Sequence, residues 1–218
     1  MEYATYRIIG TDLVHSVVSF GGADTPVWRQ ACWETGEYQQ FIRKNGCGHC
    51  CTAMALNLHN ISIDPHEEFT LCRTLWGEPN TEQEYPQGNY MTVAGITKIL
   101  RHHGVAAEYY GVPSLADAAQ RIENALKRGK QVIFWSHPND AFPENPFSVG
   151  EHYVMAVGYM EDGRILVANS SRLKAPEGVQ FVDIDTIVRA LHPEAAPEDL
   201  TWGERGPRPR CSGYVVVG

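Results

Sequence analysis

Residues 45–58 read NGCGHCCTAMALNL. Cys51, Met54, Ala55 and Leu58 recur at i, i+3, i+4 and i+7, which lays them along one face of an α-helix, and Asn60 supplies a stop just beyond. Gly46 and Gly48 flank Cys47 in a loop that feeds straight into this helix. A cysteine at such a junction meets the unpaired backbone N–H groups and the positive dipole end of the helix, both of which favour its thiolate. Cys47 precedes Cys51 by four residues, so its thiol is expected to lie along the buried face and open onto an internal cleft.

Around this helix the chain changes character once. Tyr6 to Phe20, rich in Ile and Val, reads as an early strand, and Gly21 to Trp28 as turn and loop. Met91 to His103 has helical spacing and stops at Gly104; Ser114 caps a second helix that runs to Arg128 and stops at Gly129. Beyond Gly129 the runs Val132 to Trp135, His152 to Met160, Ile165 to Ala168 and Tyr214 to Val217 are β-branched and aromatic, with Asp162-Gly163 as a tight turn and Asp183 to Leu191 as a short helix. Helices followed by antiparallel strands predict an α+β fold. With no repeat or linker in view, residues 1–218 are expected to form one domain, a helical subdomain over about 37–129 and a sheet subdomain over about 130–218.

Composition narrows the function. The hydrophobic fraction of 43% excludes a disordered chain, and a charge of 18 − 26 = −8 argues against nucleic acid or anionic lipid as a partner. No apolar run approaches the roughly 18 residues of a membrane span. The opening MEYATYRIIG has no basic or continuous apolar region, so it does not read as a signal peptide and a cytoplasmic chain is expected. Six cysteines are too dilute for a disulfide scaffold, whereas Cys47, Cys50 and Cys51 crowd together, which points to thiol chemistry.

A thiolate nucleophile needs an imidazole to carry a proton, and the imidazole needs a third group to hold its tautomer. His152, at the mouth of a strand after the polar loop Ser136 to Gly150, is the candidate imidazole. Asn169 ends the partner strand. With a two-residue Asp162-Gly163 turn, Asn169 would pair with Ala156, on the face of His152 but roughly 13 Å along the strand. Ser171 would pair with Val154 and lie closer, so Asn169 can serve only if a bulge or strong twist shortens the path. Upstream, Gln39 or Gln40 could donate an amide to the oxyanion of a tetrahedral intermediate.

The segment QFIRKNGCGHCCTAMALNL (Gln40 to Leu58) resembles the glutamine, Cys-Gly, Ala-Met helix of papain-like cysteine peptidases, above all the bacteriocin-leader-processing peptidases and their stand-alone relatives. GEHYVMAVGYMEDGRILVANSS (Gly150 to Ser171) resembles their Gly-His-Tyr strand and the hairpin that ends in the third catalytic residue. The resemblance implies a papain-like fold, with a helical N-terminal half packed on an antiparallel sheet from the C-terminal half. It also implies Cys47 as nucleophile, His152 as base, Asn169 as orienter and Gln40 as oxyanion donor. The family usually carries Asp where this chain has Asn169, although papain itself uses Asn, and His49-Cys50-Cys51 replaces the usual Pro or small residue after Cys-Gly. The expected reaction is hydrolysis of, or acyl transfer from, a peptide or amide bond, with no cofactor and no metal.

Two other readings compete. Cys47-Gly48-His49-Cys50 spells the redox dithiol of protein disulfide isomerases, although Phe41 to Gly46 cannot be the apolar strand that precedes such a site. A papain-like binding module without chemistry is the other. A zinc site at Cys47, Cys50 or Cys51 with His49 has no second ligand pair at a recognisable spacing. The loops Trp76 to Tyr90 and His137 to Glu151 contribute Glu78, Glu82, Glu84, Asp140, Glu144 and Glu151 and no Lys or Arg, so a cleft between them would favour cationic or neutral substrate segments.

Overall fold

The computed structural model describes residues 2–30, 43, 46–76, 92–138, 142–171, 173–191 and 213–218. Helix α1 (Cys47–Leu58) forms where the sequence spacing places it, and Asn60 ends it in the left-handed conformation at φ 62°. It is more than a one-sided amphipathic helix: ten of its residues, Gly48 to Leu56 and Leu58 apart from Asn57, are buried. Small side chains on every face let neighbours approach from all sides, as expected for a central helix. Those neighbours come from α2 (Pro65–Trp76), α3 (Val93–His102) and two sheets.

The first sheet is an antiparallel meander of β1 (Thr5–Ile8), β2 (Val14–Phe20) and β3 (Ala23–Trp28). The single strand expected over Tyr6 to Phe20 is therefore two strands, and Gly21 to Trp28 is a strand rather than a loop. Gly21 and Gly22, at φ 62° and 76°, compress the whole turn into two residues and leave Ala23 onward free to pair.

The second sheet has six antiparallel strands in the order β4 (Ala107–Tyr110), β9 (Tyr214–Val217), β5 (Gln131–Ser136), β6 (His152–Tyr159), β7 (Ile165–Ala168) and β8 (Val179–Val182). Outside a bulge in β6, its residues alternate between two cores. Ile133, Trp135, Tyr153, Met155, Leu166 and Val215 join α1 and α3, while Phe134, Val154, Ala156, Val167 and Val216 join α4 (Leu115–Lys127) and α5 (Ile184–Ala190). Ser114 and Asp183 cap α4 and α5 through their side chains, as the sequence predicts for Ser114. The architecture is the expected α+β arrangement of helices against a mainly C-terminal antiparallel sheet. The exception is β4, which leaves the helical half to form an edge of that sheet.

The β6–β7 hairpin differs from the ideal in two places. Met160 N–H donates to Arg164 O at 2.7 Å and Gly163 N–H to Met160 O at 3.0 Å. The loop is thus the three residues Glu161, Asp162 and Gly163, with Gly163 left-handed at φ 85°, and not a two-residue turn. A bulge between Ala156 and Gly158 then shifts the register once more, so that Met155 pairs with Ala168. Each irregularity moves the pairing by one residue; one alone would turn Asn169 to the opposite face, and the two together restore it. Continuing past the Met155–Ala168 pair, Asn169 stands level with Val154, about 7 Å along the strand from His152 rather than 13.

Candidate active site

Cys47 begins α1, with Gly46 at the N-cap and no side chain capping the turn. The orphan amides of a helix start are therefore available to the sulfur, and the backbone N–H groups of Cys47 and Gly48 both act on it as hydrogen-bond donors. A third donor is the N–H of Tyr153, which places the thiol beside the first residues of β6. These donors favour the thiolate, as the helix-start argument requires, but burial of the sulfur outweighs them and pushes the thiol above its ordinary range. The carboxylate of exposed Glu151 adds to the rise.

His152 opens β6 at the end of the sheet, where β7 has already stopped at Ala168. Its ring is buried and its Nε2 donates to Asn169 Oδ1 at 2.9 Å. That bond fixes the tautomer and leaves Nδ1 as the basic nitrogen. Burial lowers the imidazole pKa to about 4, against the partial support of the Asn169 bond. Both shifts favour the neutral forms of thiol and imidazole.

Asn169 is itself held at every polar atom. Its Nδ2 donates to Phe147 O at 3.0 Å and to Gln180 Oε1 at 2.8 Å; its Oδ1 accepts from Ser171 N–H at 2.8 Å besides His152. Its own N–H donates to Gly178 O at 2.9 Å. Gly178 is left-handed at φ 78°, and a Cβ there would stand 2.4 Å from Cβ of His15 on β2. The first sheet therefore packs directly against the segment that carries the asparagine, at a position only glycine can occupy.

Of the residues singled out from the sequence, His152 and Asn169 bond each other at one end of the second sheet, the Cys47 thiol meets the backbone N–H of the next residue, Tyr153, and Gln39 and Gln40 lie outside the described residues. Cys50 and Cys51 are fully buried and their thiols are pushed well up by burial, in keeping with a packing role. Cys32, Cys211, Glu78, Glu82, Glu84 and Asp140 also lie outside the described residues. Gln180, missed in the sequence, completes the asparagine's surroundings: its Nε2 donates to Pro146 O at 2.8 Å, which ties β8 to the loop before His152. Its one sequence signal is a polar residue inside the strand VQFV. Ser170 was missed too; buried beside Asn169, its hydroxyl bonds the Cys50 thiol and reaches Gln30 Oε1 at 3.4 Å.

Residues 24–186 match the model of the Peptidase_C39 like family, a span that contains Cys47, His152 and Asn169. No curated protein matches the chain.

Proposed function

Because the chain belongs to the Peptidase_C39 like family, a peptidase family of the cysteine type, we propose that it cleaves a peptide or amide bond through a Cys47–His152–Asn169 triad. The observation that carries this reading is the buried 2.9 Å bond from His152 Nε2 to Asn169 Oδ1 at the strand end whose next amide, that of Tyr153, bonds the Cys47 thiol.

In this mechanism His152 Nδ1 takes the Cys47 proton as the sulfur attacks the substrate carbonyl. The neutral resting pair makes proton transfer part of the attack instead of a step completed beforehand. The oxyanion is stabilised by the Cys47 backbone N–H and by the side-chain amide of Gln40. The imidazolium, whose Nε2–H remains on Asn169, returns its proton to the leaving amine and the thioester remains. Water or a second amine then displaces Cys47, giving hydrolysis or acyl transfer. The dithiol alternative suits the site less well, since an exchanging pair needs an accessible thiolate and Cys50 is fully buried.

Limiting iodoacetamide with mass mapping tests the nucleophile. Cys47 is expected to label first among the six thiols, at a rate that climbs steadily with pH from neutral upward because its thiol lies above the ordinary range. First labelling at Cys50 or Cys32 counts against the assignment. A rate plateau extending below neutral pH would show a preformed thiolate–imidazolium pair in place of the neutral one. Cleavage of a peptide library should vanish in Cys47→Ala and fall by about a thousandfold or more in His152→Ala.

A further inference from the structure

The triad leaves one group of reactive side chains unused. Glu68 and Cys72 stand four residues apart on α2, on one face, and that face meets His49 of α1. His49 Nδ1 contacts Glu68 Oε2, and the Cys72 thiol donates to Glu68 Oε1 at 3.3 Å. All three are fully buried, and one donor atom from each lies within 4.8 Å of the others. Among the described residues no other trio of His, Cys, Asp and Glu converges in this way.

We propose that His49, Glu68 and Cys72 form a buried site for a divalent metal ion of zinc type. Zinc binds imidazole nitrogen, carboxylate oxygen and thiolate sulfur at about 2.0–2.3 Å, so its ligand atoms stand roughly 3.3–3.8 Å apart, a separation this trio reaches by small adjustments. Imidazole and thiolate together exclude magnesium and calcium, which take oxygen ligands. The charge balance also favours a metal. A carboxylate in a dry core is costly unless compensated, and a cation held between Glu68, His49 and Cys72 compensates it directly. A dication with one carboxylate, one thiolate and one neutral imidazole sums to zero. Binding releases the Cys72 thiol proton to solvent, together with the second ring proton of His49 wherever it is present.

A tetrahedral set needs a fourth donor. The trio leaves that position to a water molecule. The site would pin α1 and α2 to one another two residues beyond the Cys47 thiol. Nothing in this site depends on the triad.

The test uses the full chain, reconstituted with zinc and desalted. Elemental analysis should return about one zinc per chain, and Glu68→Gln and Cys72→Ala should retain less than about a tenth of it. The same protein loaded with cobalt(II) provides a second readout that does not depend on how well either variant folds. Wild type should show a thiolate-to-cobalt charge-transfer band that Cys72→Ser removes and that Cys47→Ala and Cys50→Ser keep. A chain that holds no zinc after reconstitution and gives no cobalt band overturns the proposal and leaves the trio as a hydrogen-bonded core. A band that follows Cys47 or Cys50 instead of Cys72 overturns it as well.

Discussion

Asn169 is where the residue scale is most exacting, because its four hydrogen bonds leave the side chain one orientation. Removing it strips the acceptor from His152 Nε2 and leaves the Gln180 carbonyl oxygen without its buried donor, at a cost of about 1–3 kcal/mol for each orphaned group. Asn169→Ala should therefore lower turnover by at least an order of magnitude while Cys47 still alkylates. Ser171→Ala should change little, because Ser171 contributes its backbone N–H and not its hydroxyl. The reverse ranking in steady-state kinetics would move the orienting role to Ser171. His152 makes a separate prediction about pH. Its folded pKa of about 4 lies below the ordinary 6.5, so the unfolded chain takes up the proton first as pH falls. The contribution is complete above 6.5, is lost as pH falls toward about 4 and is level below that, amounting to roughly 3 kcal/mol. Urea unfolding of wild type and His152→Gln across that window should converge toward its acidic end; parallel curves would contradict the burial argument.

Elements decide whether the residues meet, and here sequence and structure part company in an instructive way. The helix at Cys47, the strand at His152 and the cap at Ser114 are local signals, carried by spacing and by a side chain that bonds its own backbone, so they could be read directly. The distance from His152 to Asn169 could not. It depends on a three-residue loop and a bulge at Val157, and neither has a residue signature that separates it from the ideal hairpin. For the same reason the metal-type trio was invisible: His49 and the Glu68–Cys72 pair sit on different helices, and no spacing within one segment announces them. Gly158, next to the bulge, carries a prediction of its own. A Cβ there would stand 2.7 Å from the ring of Phe20, so Gly158→Ala should destabilise the protein by about 1–3 kcal/mol. The Phe20→Leu change should recover part of that loss in a double-mutant cycle. Strict additivity of the two would show that the first sheet does not bear on β6.

At the scale of the whole molecule, charge is the property with reach. The chain carries a net −8, and Glu151, exposed beside the thiol, extends that field to the sulfur. Substrates with basic residues near the scissile bond should be preferred, and the preference should weaken as salt rises, since exposed charges are screened over about 8 Å at physiological ionic strength. Library cleavage at two salt concentrations checks this; a preference for acidic residues, or a basic preference indifferent to salt, would count against it.

Strand β9 lies between β4 and β5, inside the sheet and not at its rim. That placement sets a clock on the nascent chain. The gap from Cys47 to Val217 is 217 − 47 = 170 residues, and at about 5–20 residues per second the ribosome needs roughly 10–30 s to cross it. Until then β4 has no neighbour and β5 lacks one of its two, so the sheet that presents His152 and Asn169 is unfinished. A growing chain would thus carry its thiol for many seconds before it could cut anything, itself and its neighbours on the same messenger included.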